Sequence, residues 1–361
     1  MKVALIHDWL TGMRGGERCL EVFCELFPEA DLFTLIHRKA STSLTIERMS
    51  IKTSFLQHIP GIFSHYRNYL PLFPKAIESF DLSGYELVLS SSHCVAKGVR
   101  VSEKALHICY CYTPMRYAWL FFQEYFGTKS FLKKKLIELM LNRMRKWDIR
   151  ACERVDLFVA ISDNIRQRIK KYYNREAEVI YPPVDVSRFK VSAQQGDFYL
   201  IVCALVPYKK IDIAIEAFNI SGKRLVIIGT GSSQSGLKKI AGNNIEFLGW
   251  VDDVKLADYY AKCRALIFPG EEDFGIVLVE AQACGKPVIA YGKGGALETV
   301  TNQTGIFFFE QTPQALFDAV MKFEKIKDSF NQEVIRNNAL RFDREIFKTK
   351  IKHFIEEKLY A

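Results

Sequence analysis

Short apolar segments alternate with helical patterns from one end of this chain to the other, and no other feature restricts its folding as strongly. In the first half they are KVALIHD (2–8), DLFTLI (31–36), YELVLSS (85–91), LHICYCY (106–112) and DLFVAIS (156–162). The second half offers FYLIVCAL (198–205), RLVIIGTG (224–231), IEFLGWV (245–251), RALIFPG (264–270), KPVIAYG (286–292) and GIFFF (305–309). Near-continuous apolar strands are buried on both faces, which requires parallel sheets with helices above and below. Such sheets bind ligands in the crevice at the carboxyl ends of their strands. The two prolines of VIYPPVDVSRFKVSAQQGD (179–197) interrupt regular structure, and the polar stretch after Phe189 reads as a linker. The expectation is an α/β chain of two doubly wound parallel-sheet domains facing a cleft, 1–185 and 186–341. A final helix, 342–361, should pack back toward the first domain. A chain of 361 residues that is 49% hydrophobic can fill two such cores.

Several classes are disfavoured. MKVALIHDWL runs directly into strand and loop, so no signal segment is expected, and the longest apolar run, FYLIVCALV, has nine residues and is too short to cross a bilayer. Nine cysteines without a CxxC pair fit reduced thiols in cytosol, and no zinc or other metal site is expected. No GxxxxGK[ST] run exists, and Gly229-Thr230-Gly231 lacks the third glycine of GxGxxG, which disfavours a P-loop and a nicotinamide-cofactor fold.

The formal charge of +9 is uneven. Residues 1–185 hold 27 Lys/Arg against 20 Asp/Glu, and the remainder 23 against 21. Such an excess either serves solubility or meets an anionic surface, membrane or polyanion. Within it, KSFLKKKLIELMLNRMRKWDIR (129–150) reads as a basic amphipathic helix, with Leu132, Leu136, Leu139, Met140, Met144 and Trp147 at helical spacing. The aromatic, Pro-punctuated FLQHIPGIFSHYRNYLPLFPKAI (55–77) suits a loop at a membrane interface or over an acceptor.

The chemistry concentrates in FPGEEDFGIVLVEAQACGKPVIAYGKGG (268–295). A helix beginning near Gly275 leaves Glu272 on the preceding loop and puts Glu280 on its second turn. The N–H groups of Phe274, Gly275 and Ile276 then have no partner inside the helix, an opening that favours an anion. Two carboxylates flanking such an opening suit a ligand with hydroxyls on either side of phosphate. Asp273 is expected to cap the helix start. Glycines at three strand ends, GMRGGE (12–17), GTG (229–231) and GKGG (292–295), would let backbone approach a ligand closely. His7, Asp8 and His93 also stand at strand ends.

These residues resemble the retaining glycosyltransferases of family 4, which have the GT-B fold. EEDFGIVLVE carries their E-x7-E signature, and the likeness runs through HDWLTGMRGGE (7–17), YPPVDVSRF (181–189), LVPYKKIDIAIEAF (205–218), FLGWVDD (247–253) and GKPVIAYGKGGALETV (285–300). The opening and YTPMRYAW (112–119) look most like bacterial mannosyltransferases that build O-antigen and capsule chains from GDP-mannose. The resemblance implies that Glu272 accepts hydrogen bonds from the donor sugar and Glu280 from the ribose. Lys209, with Lys210 beside it, would neutralise the diphosphate, and Phe274, Gly275, Ile276 and Gly231 would line the donor. Gly15 and Gly16 would bring amides to the phosphate from the other domain, with Tyr112 in the position near the reacting centre; Asp8, directly before the glycine loop, is a further catalytic candidate from its place in the chain. No resident cofactor is implied. The partners would be GDP-mannose or another nucleotide sugar, a lipid-linked saccharide acceptor and an anionic membrane surface. Nucleic acid is not among them, and the chain would work in the cytoplasm, peripherally on the inner face of the cell membrane.

Two positions depart from the family pattern. Ala204 stands where an Arg usually precedes LVPYK, and Tyr112 where many relatives have His. Turnover is therefore in question more than fold. The rival readings are a UDP-sugar donor, a non-catalytic nucleotide-binding GT-B subunit, and a nucleotide-sugar epimerase of similar fold.

Overall fold

A computed structural model describes residues 1–120 and 131–360, apart from the side chains of Phe131 and Leu132. The start of the basic run, residues 129–130, and the side chain of Leu132 therefore lie outside the described residues. The chain divides into two compact units, Met1–Tyr181 with Lys348–Ala361, and Pro182–Phe347.

The first unit is built on seven strands: β1 (Val3–His7), β2 (Asp31–Thr34), β3 (Ser50–Thr53), β4 (Leu87–Ser92), β5 (Leu106–Cys111), β6 (Leu157–Ala160) and β7 (Ala177–Val179). They lie in the order β3-β2-β1-β4-β5-β6-β7, all neighbours parallel. The second unit has β8 (Phe198–Val202), β9 (Arg224–Ile228), β10 (Ile245–Gly249), β11 (Leu266–Phe268), β12 (Val288–Tyr291) and β13 (Gly305–Phe308). Their order is β10-β9-β8-β11-β12-β13, again parallel throughout. Every apolar segment named above forms a strand. The two strands the sequence pattern does not reveal, β3 (SIKT) and β7 (AEV), are the outer edges of the first sheet, where side chains are half exposed.

In each sheet the strand order reverses beside its first strand, between β1 and β4 and between β8 and β11. In a doubly wound sheet the crossovers leave opposite faces at that point, which opens a crevice above the strand ends. This topology positions the candidate sites, because His7 and Asp8 leave β1 while Lys209 follows β8 and Glu272 follows β11.

Two surface expectations need correction. Residues 55–77 are not a free aromatic loop. They form a run of short helices from Phe55 to Ile77, with Leu56, Ile62, Phe73 and Ile77 in the first unit's core. Only part of their apolar surface, such as Phe55 and Leu72, is exposed. The helix Phe131–Cys152 does form, but its inward stripe is rotated from the expected one. Leu141 and Met144 are buried with Met140 and Trp147 packed beside them, whereas Leu136 and Leu139 are 68% and 54% exposed. The C-terminal helix Arg344–Leu359 buries Phe347, Ile351 and Ile355, and Lys348 pairs with Glu25 at 3.3 Å. All nine cysteines are free thiols. Among the described residues no helix is long and apolar enough to cross a membrane, and no group of metal-ligating side chains is found.

Candidate functional site

At the β1/β4 reversal, the first unit assembles a buried polar cluster. Asp8 is fully buried, and its carboxylate accepts four backbone N–H groups from the turn after β4. One oxygen takes His93 (2.7 Å) and Cys94 (2.9 Å), the other Val95 (2.6 Å) and Ala96 (2.8 Å). The His93 ring adds Nδ1 at 3.1 Å. Burial alone would raise the Asp8 pKa, but the His93 and His7 rings and the backbone donors outweigh it and hold the carboxyl below its usual value. Asp8 thus ties two strand ends together and orients His93, whose ring meets Trp9 edge-on at 4.4 Å.

Beside it, the helix Gly15–Leu26 opens at the glycine pair. Glu17 is buried on its first turn, accepts the Arg14 N–H at 3.0 Å, and faces His7 at 3.8 Å. Tyr112 is buried against the same turn, and its hydroxyl donates to the Gly16 carbonyl (2.8 Å) and meets Ser91 (2.7 Å). Ser91 in turn contacts His7 Nδ1 at 3.1 Å. The Tyr112 hydroxyl, expected near a reacting centre, is therefore engaged inside the protein and steadies the glycine turn. Serines 90–92 sit in a strand that is buried throughout. Three consecutive hydroxyls in an apolar run were the available signal for Ser91, which sequence reasoning passed over.

At the β8/β11 reversal, the second unit brings Lys209 and Glu272 together as an ion pair, their side chains 14% and 12% exposed. A small crevice lined by Cys203, Lys209, Pro269 and Gly270 opens there. The helix Ile276–Ala283 starts as the spacing indicates, with Gly275 at its N-cap in the left-handed region (φ 85°). Gly275 rather than Asp273 occupies the N-cap position, and Asp273 is buried two residues before it. Phe274 is anchored edge-to-face on Phe342 at 5.4 Å. Glu280 lies on the second turn and accepts the hydroxyl of Tyr260 at 2.8 Å. Tyr260 is itself fully buried; burial and the Glu280 carboxylate push its hydroxyl pKa up, so it stays a donor and fixes one carboxylate oxygen. Lys210 sits in the left-handed region at the start of the helix Ile211–Ser221, half buried. Ala204 is exposed.

The glycines have a further use beyond approach to a ligand. A Cβ on Gly231 would lie 2.3 Å from the Leu205 carbonyl oxygen, and one on Gly294 2.3 Å from that of Glu272. The bare backbones let loop press on loop: Leu205 donates to Thr230 at 3.0 Å, and Gly295 donates to Glu272 at 2.8 Å. Gly231 thereby sets the path of the Lys209 loop, and Gly294 that of the Glu272 loop.

Residues 185–341 match the family model of glycosyl transferases group 1. The chain is 31% identical over 201 residues to an uncharacterized glycosyltransferase of Methanocaldococcus jannaschii, an alignment covering 54% of this chain and 55% of that protein. It is 24% identical over 384 residues to the alpha-1,3/1,6-mannosyltransferase ALG2 of Saccharomyces cerevisiae, covering 86% and 73%. A GDP-mannose-dependent monoacylated alpha-(1-6)-phosphatidylinositol monomannoside mannosyltransferase of Corynebacterium glutamicum is 32% identical over 184 residues, covering 42% and 48%. The match thus spans about half the length of the archaeal and corynebacterial relatives. Among solved structures, Anabaena HepE in complex with UDP superposes with a TM-score of 0.72 at 17% identity, covering 99% of this chain and 100% of that one. Sucrose-phosphate synthase of Thermosynechococcus elongatus gives 0.72 at 15%, covering 100% of both. Two parallel-sheet units, and these neighbours over the full length, make the fold GT-B, and residues 185–341 are the part that matches the glycosyl transferases group 1 model.

Proposed function

We propose that this chain is a retaining glycosyltransferase that moves a hexose, in the first instance mannose from GDP-mannose, onto a lipid-linked saccharide. The observation that carries the reading is the assembly at the β8/β11 reversal: Lys209 and Glu272 at adjoining strand ends, Gly275 opening a helix between them and Glu280, and Glu280 oriented by Tyr260. An ammonium and a helix start suit a diphosphate, while the two carboxylates suit hydroxyl donors. In this reading Lys209 stabilises the charge that develops on the leaving diphosphate. The bond between the anomeric carbon and phosphate breaks, the acceptor oxygen bonds to that carbon on the same face, and the acceptor proton passes to the departing phosphate. Mannose is favoured because curated relatives are named as mannosyltransferases, three of them as GDP-mannose-dependent.

The membrane-linked acceptor is supported by the exposed face of the helix Phe131–Cys152. Lys133, Lys135, Arg143 and Lys146 stand there beside the exposed Leu136 and Leu139. Cationic side chains interleaved with leucine suit an anionic bilayer surface. A second reading, a nucleotide-binding subunit without turnover, draws on Ala204 and on the engaged hydroxyl of Tyr112.

Calorimetric titration of the purified protein with GDP, GDP-mannose, UDP and UDP-glucose tests the donor. The expected order places GDP-mannose tightest, and transfer of labelled mannose from it to membrane extract should follow. Preference for the UDP pair would replace the donor, and GDP-mannose binding without transfer would favour the subunit reading.

A further inference from the structure

The ion pair between Lys209 and Glu272 raises a question, because the two groups have opposite tasks in the reading above. Lys209 is to meet phosphate oxygens and Glu272 is to accept sugar hydroxyls, yet here each holds the other. Their backbones are fixed independently. Gly270 passes so close to Lys209 that a Cβ on it would lie 3.1 Å from the lysine Cα, and Glu272 is bridged to Gly294 and bonded to the Gly295 N–H. The loops thus hold the two backbones within reach of each other, and the side chains that meet between them are shielded from most solvent.

Resting on that reading, we infer that Glu272 is a built-in substitute for the diphosphate. It occupies Lys209 until a phosphate oxygen displaces it, and only then is its carboxylate available to the sugar. Recognition of the hexose becomes conditional on the diphosphate. A free sugar meets a carboxylate already neutralised by Lys209, whereas a sugar nucleotide supplies the anion that releases it. The same exchange sets a cost on nucleotide binding, because GDP must break the pair before it gains the lysine. Binding energy from the phosphates is thus converted into selectivity for the intact donor.

The sign of one mutant effect separates this exchange from simple proximity. Glu272→Gln keeps the shape but releases Lys209, so GDP should bind about three- to tenfold tighter than to native protein, as expected for losing a mostly shielded ion pair. The gap between GDP-mannose and GDP should shrink at the same time, because the sugar-accepting carboxylate is gone. Lys209→Met should weaken GDP more than about tenfold. In the Lys209→Met background, Glu272→Gln should change GDP affinity by less than about twofold, because there is no lysine to release. Titration calorimetry on the four proteins reads all of this, with Glu272→Ala and Lys209→Gln as second variants should either protein fail to fold. Unchanged or weaker GDP binding by Glu272→Gln overturns the exchange. Equal tightening with and without Lys209 also overturns it, since that is mere repulsion between carboxylate and phosphate. Native protein that binds neither GDP nor UDP overturns the functional reading itself, and the exchange with it.

Discussion

Asp8→Asn tests whether Asp8 serves chemistry or architecture. The native carboxylate is fully buried and accepts two N–H groups on each oxygen, at 2.6–2.9 Å. Asparagine keeps one oxygen and presents an NH2 group to the other pair of donors. Two buried N–H groups lose their acceptor, at about 1–3 kcal/mol each, so the loss should be roughly 2–6 kcal/mol. For a unit of this size that is on the order of 5–20 °C in melting temperature. The acid response gives an independent reading. Because the folded-state pKa is below the ordinary 3.8, Asp8 contributes stability that is present above the unfolded pKa and lost as pH falls through the folded one. Asp8→Asn should remove that share of the acid dependence as well as lowering the melting temperature at pH 7. The assay is thermal unfolding followed by circular dichroism at pH 7 and at steps down to the acid limb. A variant that melts like native protein yet transfers no sugar would refute the architectural assignment.

Three further outcomes are expected. Lys97 and Asp148 form a buried pair at 2.6 Å, with Trp119 and Tyr173 also donating to Asp148. Lys97→Met should cost about 3–5 kcal/mol, and Lys97→Met with Asp148→Asn should recover much of it in denaturant melts, because the uncompensated charge is then gone. Glu324 accepts Tyr199 and pairs with Lys223, Arg264 and Lys327; burial opposes its ionisation, but these donors bring its pKa down to about 2. Its contribution is present above the ordinary value near 4.5 and lost as pH falls toward 2, so Glu324→Gln should destabilise by about 1–3 kcal/mol at pH 7, and its deficit should vanish at the acid end of a pH series. Changing Lys133, Lys134 and Lys135 to Glu should release the protein from anionic vesicles at 0.1 M salt, at about 1 kcal/mol per residue, with GDP affinity unchanged; vesicle sedimentation checks it, and equal binding by the variant would remove this helix from the membrane reading.

The central strands were legible because a segment buried on both faces must be apolar along its length, and that is visible without neighbours. β3 and β7 escaped because an edge strand shares its burden with solvent, and SIKT or AEV carries no such run. The same asymmetry governs the sites. Glu272, Gly275 and Glu280 lie within nine residues, so helix geometry alone placed them correctly relative to one another. The role of Asp8 depends on amides 85 to 88 positions away, and that of Tyr112 on Gly16, 96 positions away, contacts that no local pattern encodes. The rotation of the basic helix was hidden for a related reason. Leucine at helical spacing marks a face, but the face that turns inward here also carries Asp148, held from inside by Lys97, a polar residue that no apolar pattern would place there.

The two inconspicuous edge strands also bear on how the protein behaves at high concentration. An outer strand offers unpaired backbone groups to any extended segment that drifts past, and a long apolar one invites sheet-to-sheet fusion between molecules. Here the first sheet ends in four residues on one side and three on the other, with Lys52 about half exposed on the first and Glu178 exposed on the second. Each rim is short and carries a charge that an added strand would have to accommodate, two features that disfavour pairing with another molecule. The open edges of this sheet are thereby blunted against growth, and the hydrophobic strands that build its interior stay covered between them.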